Sequence, residues 1–421
     1  MPDSQPQPSD GATADTTALV LCGARLTDGR TVDVRLSAGR IEAVGTAGSL
    51  STHGARVDLA GYLLLPAPAE PHAHGDTALT SGPPGAPVSY SPEEVQRRAT
   101  EATLLQLGHG ATALRSHVRI GDAQRLGRME AVLQARRSLR GLADLTAVAV
   151  PRLLTGVAGA DGLAMLRDAV RMGAGVVGGC PDLDPDPVGH LEAVLGLAAE
   201  HGCPVDLHTD GADPAGLARL AAMAGGMRQG VTLGPCAGLA RLPAEVVARA
   251  AQRLAAAGVA VVCLPQGGCG GVERAGGPGR TAAERGMAPV RLLRAAGVRV
   301  AAGGGALRDI SNPVGRGDPL EAAYLLASQG GMRSADAYGA VSAAARAVMG
   351  LAEVRVEAGF PAELLAVRGE RIEGVLSLAY SRIVIHRGRV VARTSAVREY
   401  CDSAAEVALE LPRQGRSDLG A

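Results

Sequence analysis

Two histidines two residues apart, His72 and His74 in AEPHAHGDT, and a third, His208 in CPVDLHTDGADP, are the residues of this chain best suited to chemistry. In an extended segment, residues two apart leave the same face, so His72 and His74 can offer two imidazoles to one ion. A bare H-x-H also arises when two surface histidines fall in a loop. Here the pair follows an apolar, strand-like run, at the end of an element able to hold it. His208 ends another such run, and neutral imidazoles suit zinc or iron in its ferrous state. His117, in ALRSHV, ends a third run but has no spacing partner, and reads as a hydrogen-bonded structural residue. Asp76, Asp210, Asp213, Asp309 and Cys236 stand near these strand ends. Each reads first as a loop carboxylate or buried thiol in a structural hydrogen bond. A deaminase signature containing P-C-x-x-C begins at Pro235 and Cys236, but Leu239 occupies its second cysteine position and excludes that class.

The elements that must position these groups alternate regularly. Strand-like runs at Tyr62 to Ala67, Ala111 to Val118, Thr146 to Pro151, Gly175 to Cys180, Pro204 to His208, Val231 to Cys236, Val259 to Pro265 and Val298 to Gly303 are each followed by a segment of helical periodicity. Eight apolar strands alternating with amphipathic helices predict an α/β fold, a TIM-type (β/α)8 barrel with its active site at the C-terminal strand ends. Residues 18–60 and the stretch from Val354 to Thr394 instead show short alternating strands punctuated by Asp-Gly and other glycine turns. They predict a small β-sandwich built from both chain ends. The expected organisation is a disordered tail over 1–17, a sandwich over 18–60 plus 354–397, a barrel over 61–353 and a disordered tail over 403–421. The glycine-rich GGCGGVERAGGPG after the seventh strand lacks the Gly-Lys-Ser of a phosphate loop and reads as a mobile rim loop.

Composition removes several classes of function. Lys+Arg and Asp+Glu are both 42, so no net field attracts nucleic acid or an anionic membrane. No apolar run reaches the roughly 20 residues that cross a bilayer. Seven cysteines without C-x-x-C pairs, and the absence of a signal-like start, fit a reducing cytoplasm. The chain has one Phe, no Trp and no Lys, a bias of high-GC bacterial genomes rather than of any chemistry.

The string AEPHAHGDT resembles the metal motif of the cytosine-deaminase-like amidohydrolases, a group of metal-dependent hydrolases. The likeness continues through GATALRSHV, AVAVP, VVGGCPDLD, PVDLHTD, VTLGPCAGL, GMAPVRLLRAAGVRVAAGG, NPVG and AGFPAELLAV, in order over residues 18 to 395. The resemblance implies a hydrolase of non-peptide C–N bonds, one divalent metal held by His72, His74 and His208, and a small nucleobase-like ligand. A homo-oligomer is implied by the resemblance alone, and nothing in the sequence identifies a protein partner. Carried over position by position, the family's proton-shuttling glutamate falls on Gly211. Its sixth-strand Ser-His pair falls on Gly234 and Pro235, and its eighth-strand aspartate on Gly305. The glutamine that reads the pyrimidine edge falls on Arg152. Glycine and proline can neither take nor give a proton, and each such step contributes about a hundredfold or more. The expectation is therefore a pseudoenzyme that acts by binding, with no catalytic residue assigned. A hydrolase with a rearranged site, using a displaced carboxylate such as Asp210, is the alternative.

Overall fold

The computed structural model describes residues 18–50, 54–83, 87–267 and 286–396. The expected tails over 1–17 and 403–421, and the glycine-rich segment beyond Gly267, lie outside the described residues.

Two eight-stranded sheets organise the chain. The second is all parallel and runs in sequence order through β6 (Ala69–Ala73), β7 (Ala113–Ile120), β8 (Asp144–Pro151), β9 (Val176–Gly179), β10 (Val205–Thr209), β11 (Val231–Pro235), β12 (Ala260–Cys263) and β13 (Val300–Ala302). A parallel bridge between Ala73 and Gly305 joins its two ends and makes it a barrel. Parallel strands covered on the outside by helices are buried on both faces, which explains their nearly continuous apolar sequences. Leu114, Leu207 and Leu233 are each 1% exposed or less, facing the helical layer. Burial of one such side chain contributes about 1.5–3 kcal/mol.

Asp-Pro dipeptides start three of the outer helices, at Pro187–His201, Pro214–Ala224 and Pro319–Ser328. In each, the aspartate accepts from backbone N–H groups of the first turn and proline occupies the first helical position. Proline loses no hydrogen bond there, and the carboxylate satisfies donors that the helix cannot.

The other sheet is mixed and comes from both chain ends. It pairs β1 (Leu19–Arg25), β2 (Thr31–Ser37), β3 (Arg40–Thr46), β4 (Ala55–Asp58) and β5 (Tyr62–Pro66) with β14 (Leu364–Arg368), β15 (Arg382–His386) and β16 (Arg389–Thr394). It encloses its own apolar cluster, including Leu21, Leu36, Ile41, Leu64, Leu364 and Ile385.

One strand assignment is corrected here. Tyr62 to Ala67 is expected to open the barrel, but Tyr62–Pro66 pairs antiparallel with Leu364–Arg368 in the mixed sheet. The barrel opens instead at Ala69, beyond Pro66 and Pro68, so the barrel segment does not begin at residue 61. Arg382 on β15 ties the mixed sheet to the barrel's outer helices: it donates to both carboxylate oxygens of Asp318, before the helix at Pro319, at 2.8 and 2.7 Å, and to the carbonyl of His109, after the helix Pro92–Gly108, at 2.6 Å.

Candidate metal centre

Period-two alternation aims a row of polar side chains into the barrel. On β6 these are Glu70 and His72, with His74 just beyond the strand; on β7, Arg115 and His117; on β10, Asp206 and His208. All seven are buried, none more than 3% exposed.

The expected ligands converge. One ring nitrogen from each of His72, His74 and His208 lies within 4.8 Å of the others. Their ring centroids are 5.1 Å (His72 to His74), 5.2 Å (His72 to His208) and 6.0 Å (His74 to His208) apart. Burial is the main force that keeps them neutral, reinforced by their mutual repulsion and by His117. It holds His72 and His74 well below the ordinary histidine range and His208 at about 3. Neutral imidazoles present lone pairs, as a metal requires. Both nitrogens of His72 and Nε2 of His74 have no hydrogen-bond partner. Buried polar atoms are rarely left so, and the donor set fits one divalent cation.

His117 is drawn into the same cluster. Its ring stacks on His72 at 3.8 Å, and its Nε2 lies 3.2 Å from Asp206 Oδ1. Asp206 Oδ2 accepts from Arg115 at 2.8 Å. Burial alone would raise the Asp206 carboxyl, but His117 and Arg115 outweigh it and hold it below its ordinary value. Glu70 accepts from the backbone N–H of His72 at 3.0 Å and of Gly304 at 2.7 Å, sealing the seam between β6 and the end of β13. Burial pushes its carboxyl up to about 8. A Cβ on Gly303 would lie 2.2 Å from Glu70 Oε1, so a side chain there would push the Glu70 carboxylate off its backbone donors.

Glu70, Arg115 and Asp206 were not singled out from the sequence. The available signal is a charged residue inside an apolar strand run, two positions before a histidine.

A cavity of about 480 Å³ opens over the ends of β9 to β12, with Asp182, His208, Asp210, Gly211, Pro235 and Arg241 in its lining. Gly211 and Gly305 have φ of +70° and +67°, a left-handed conformation that side-chain-bearing residues rarely adopt. A Cβ on Gly211 would come within 3.3 Å of Leu239 Cγ, and one on Gly234 within 2.8 Å of the Val262 carbonyl. The backbone at these positions is thus shaped for glycine. Arg152 is exposed and does not line the cavity.

The displaced acids are mostly engaged in structure. Asp309 accepts from the backbone N–H groups of Ser311 and Asn312 at 2.8 and 2.9 Å. Asp213 caps the helix starting at Pro214, and Asp76 accepts from Arg128 at 3.4 Å. Asp210 pairs with Arg241 at 2.5 Å on the pocket wall. Cys236 is buried, which raises its thiol far above the usual range.

A parallel barrel with histidines converging from its first and fifth strands defines a class, and comparison agrees. The chain belongs to the amidohydrolase family, whose sequence model matches residues 89–392. A pterin deaminase from Rhizobium rhizogenes (strain K84 / ATCC BAA-868) is 27% identical over 389 residues, covering 86% of this chain and 88% of that protein. Among solved structures, the 5-methylcytosine deaminase of Klebsiella pneumoniae superposes with a TM-score of 0.78 at 24% identity, over 91% of this chain and 100% of that one. The N-isopropylammelide isopropylaminohydrolase of Burkholderia multivorans ATCC 17616 superposes with a TM-score of 0.76 at 24% identity, over 90% and 100%. The latter two likenesses concern the fold. No helix among the described residues is long and apolar enough to cross a membrane.

Proposed function

We propose that this protein binds one divalent metal through His72, His74 and His208, takes a small nucleobase-like heterocycle into the adjoining pocket, and turns it over poorly or not at all. The conjunction of an intact histidine cluster with left-handed Gly211 and Gly305 carries this reading. A bound divalent ion would supply electrophilic activation of water or of a ring carbon's substituent. The chain's own part would be to move protons, and Gly211, Pro235 and Gly305 have no group that can do so. Pterin and 5-methylcytosine deaminases as relatives favour a planar nitrogen heterocycle as the ligand, and the cavity is large enough for a fused bicyclic one. Cys22, Cys203, Cys236 and Cys263, none of them in a disulfide, favour the cytoplasm as its compartment.

A panel of pterins, pyrimidines and triazines, presented to zinc- or iron-loaded protein, tests the proposal by calorimetry and ammonia release. Saturable binding without release is expected; robust release overturns the impaired-turnover reading. A hydrolase with a rearranged site is the second reading. Asp182 and Asp210 favour it, because both line the same pocket as His208. Asp210→Asn would then abolish release with metal content unchanged.

A further inference from the structure

Holding one ion on His72, His74 and His208 uses one nitrogen of each ring and leaves other buried groups unanswered. The second nitrogen of His72 remains, and neither nitrogen of His117, nor Oδ1 of Asp206, has a hydrogen bond of good geometry. His72 and Asp206 are 0% exposed and His117 is 1% exposed. One ligand atom from each of these three lies within 4.8 Å of the others. Asp206 precedes His208 by two residues on β10, so this second group lies about 7 Å deeper in the barrel by strand rise.

We propose a second divalent-cation seat formed by His72, His117 and Asp206, resting on the metal-binding reading above; His72 would bridge the two ions as an imidazolate, its ring N–H proton leaving to solvent, and His117 would turn out of its stack on His72 to aim a nitrogen at the second ion. Its two imidazoles and one carboxylate suit a transition-metal cation of the zinc or cobalt kind, not calcium or magnesium. Arg115 occupies the other oxygen of Asp206 at 2.8 Å, which orients Oδ1 toward His117 but also places a positive charge nearby. The deep seat is therefore the weaker of the two. Its occupancy would fill the barrel interior beneath the pocket without adding a group that can carry a proton at the rim.

Equilibrium dialysis of the metal-free full chain against cobalt(II), with metal content and the visible cobalt spectrum as readouts, tests the seat. Two equivalents are expected, the second at least tenfold weaker. His117→Asn should lose only the weaker equivalent, and His208→Asn only the tighter one, with far-ultraviolet dichroism confirming the fold. Anomalous diffraction from crystals of the unaltered protein in excess cobalt gives the same answer without substitution: one peak beside His208, a second beside His117. A single equivalent, a lone peak beside His208, or a His117→Asn protein that keeps both ions overturns the deep seat and leaves the first intact. No bound ion at all overturns both.

Discussion

The interior and the rim of this barrel have fared differently. Inside, seven ionisable side chains from three strands are buried in mutual contact or on backbone donors, an arrangement that a fold discards unless each member has a partner. At the rim, where strand ends meet solvent, two positions are left-handed glycines and a third is proline. At the rim the backbone is shaped for glycine at Gly211 and Gly305, and the carboxylates that line the pocket are Asp182, Asp210 and Asp213. The proposed metal binding thus rests on the interior, and the proposed impairment of turnover on the rim.

Substitutions in the two regions should differ in scale. Asp206→Asn strands the Arg115 guanidinium in the interior, and breaking a buried pair in this way costs about 3–5 kcal/mol. Denaturant unfolding of the metal-free protein should show it, and a loss under 1 kcal/mol would mean that the interior tolerates change as the rim does.

Next in size, His208→Asn should weaken the tight metal by more than about a hundredfold, since even residues outside the ligand set are worth about 10–100-fold. Competition with a chelator reads this directly.

Acid should act on the same cluster. The buried histidines titrate well below their unfolded value of about 6.5, so between pH 6.5 and 3 the unfolded chain binds more protons than the folded one. Their contribution to the stability of the metal-free protein should be full above pH 6.5 and fall as pH drops toward 3, while Glu70, raised to about 8, contributes in the opposite sense between about pH 4.5 and 8. A flat profile below about pH 4.5, where Glu70 is protonated in both states, would show the cluster to be hydrated.

At the rim, Gly211→Glu meets a φ of +70° and should cost about 1–2 kcal/mol without restoring turnover. The smallest effect belongs to Asp210→Ala, which removes a half-exposed ion pair with Arg241 and should change stability by about 1 kcal/mol or less.

Much of this division was legible in the sequence. The strand-helix alternation located seven of eight barrel strands, and H-x-H with a histidine at the fifth strand end located three histidines that converge in the barrel. The first strand was misplaced because YLLLP and AEPHA form one apolar stretch. Hydrophobic pattern reports burial but not which sheet buries a segment, and the pairing of Tyr62–Pro66 is with residues some 300 positions away. The charged partners Glu70, Arg115 and Asp206 escaped because their role is defined by contacts across strands. Arg152 illustrates the converse, a position assigned by resemblance alone that lies exposed and away from the cavity.

Ammonia release by zinc- or iron-loaded protein, followed with pterin and cytosine under single-turnover conditions, tests the central claim most directly. The account predicts no release above that of the metal-free protein, with both ligands still bound. Release that depends on metal and disappears in His208→Asn would contradict it.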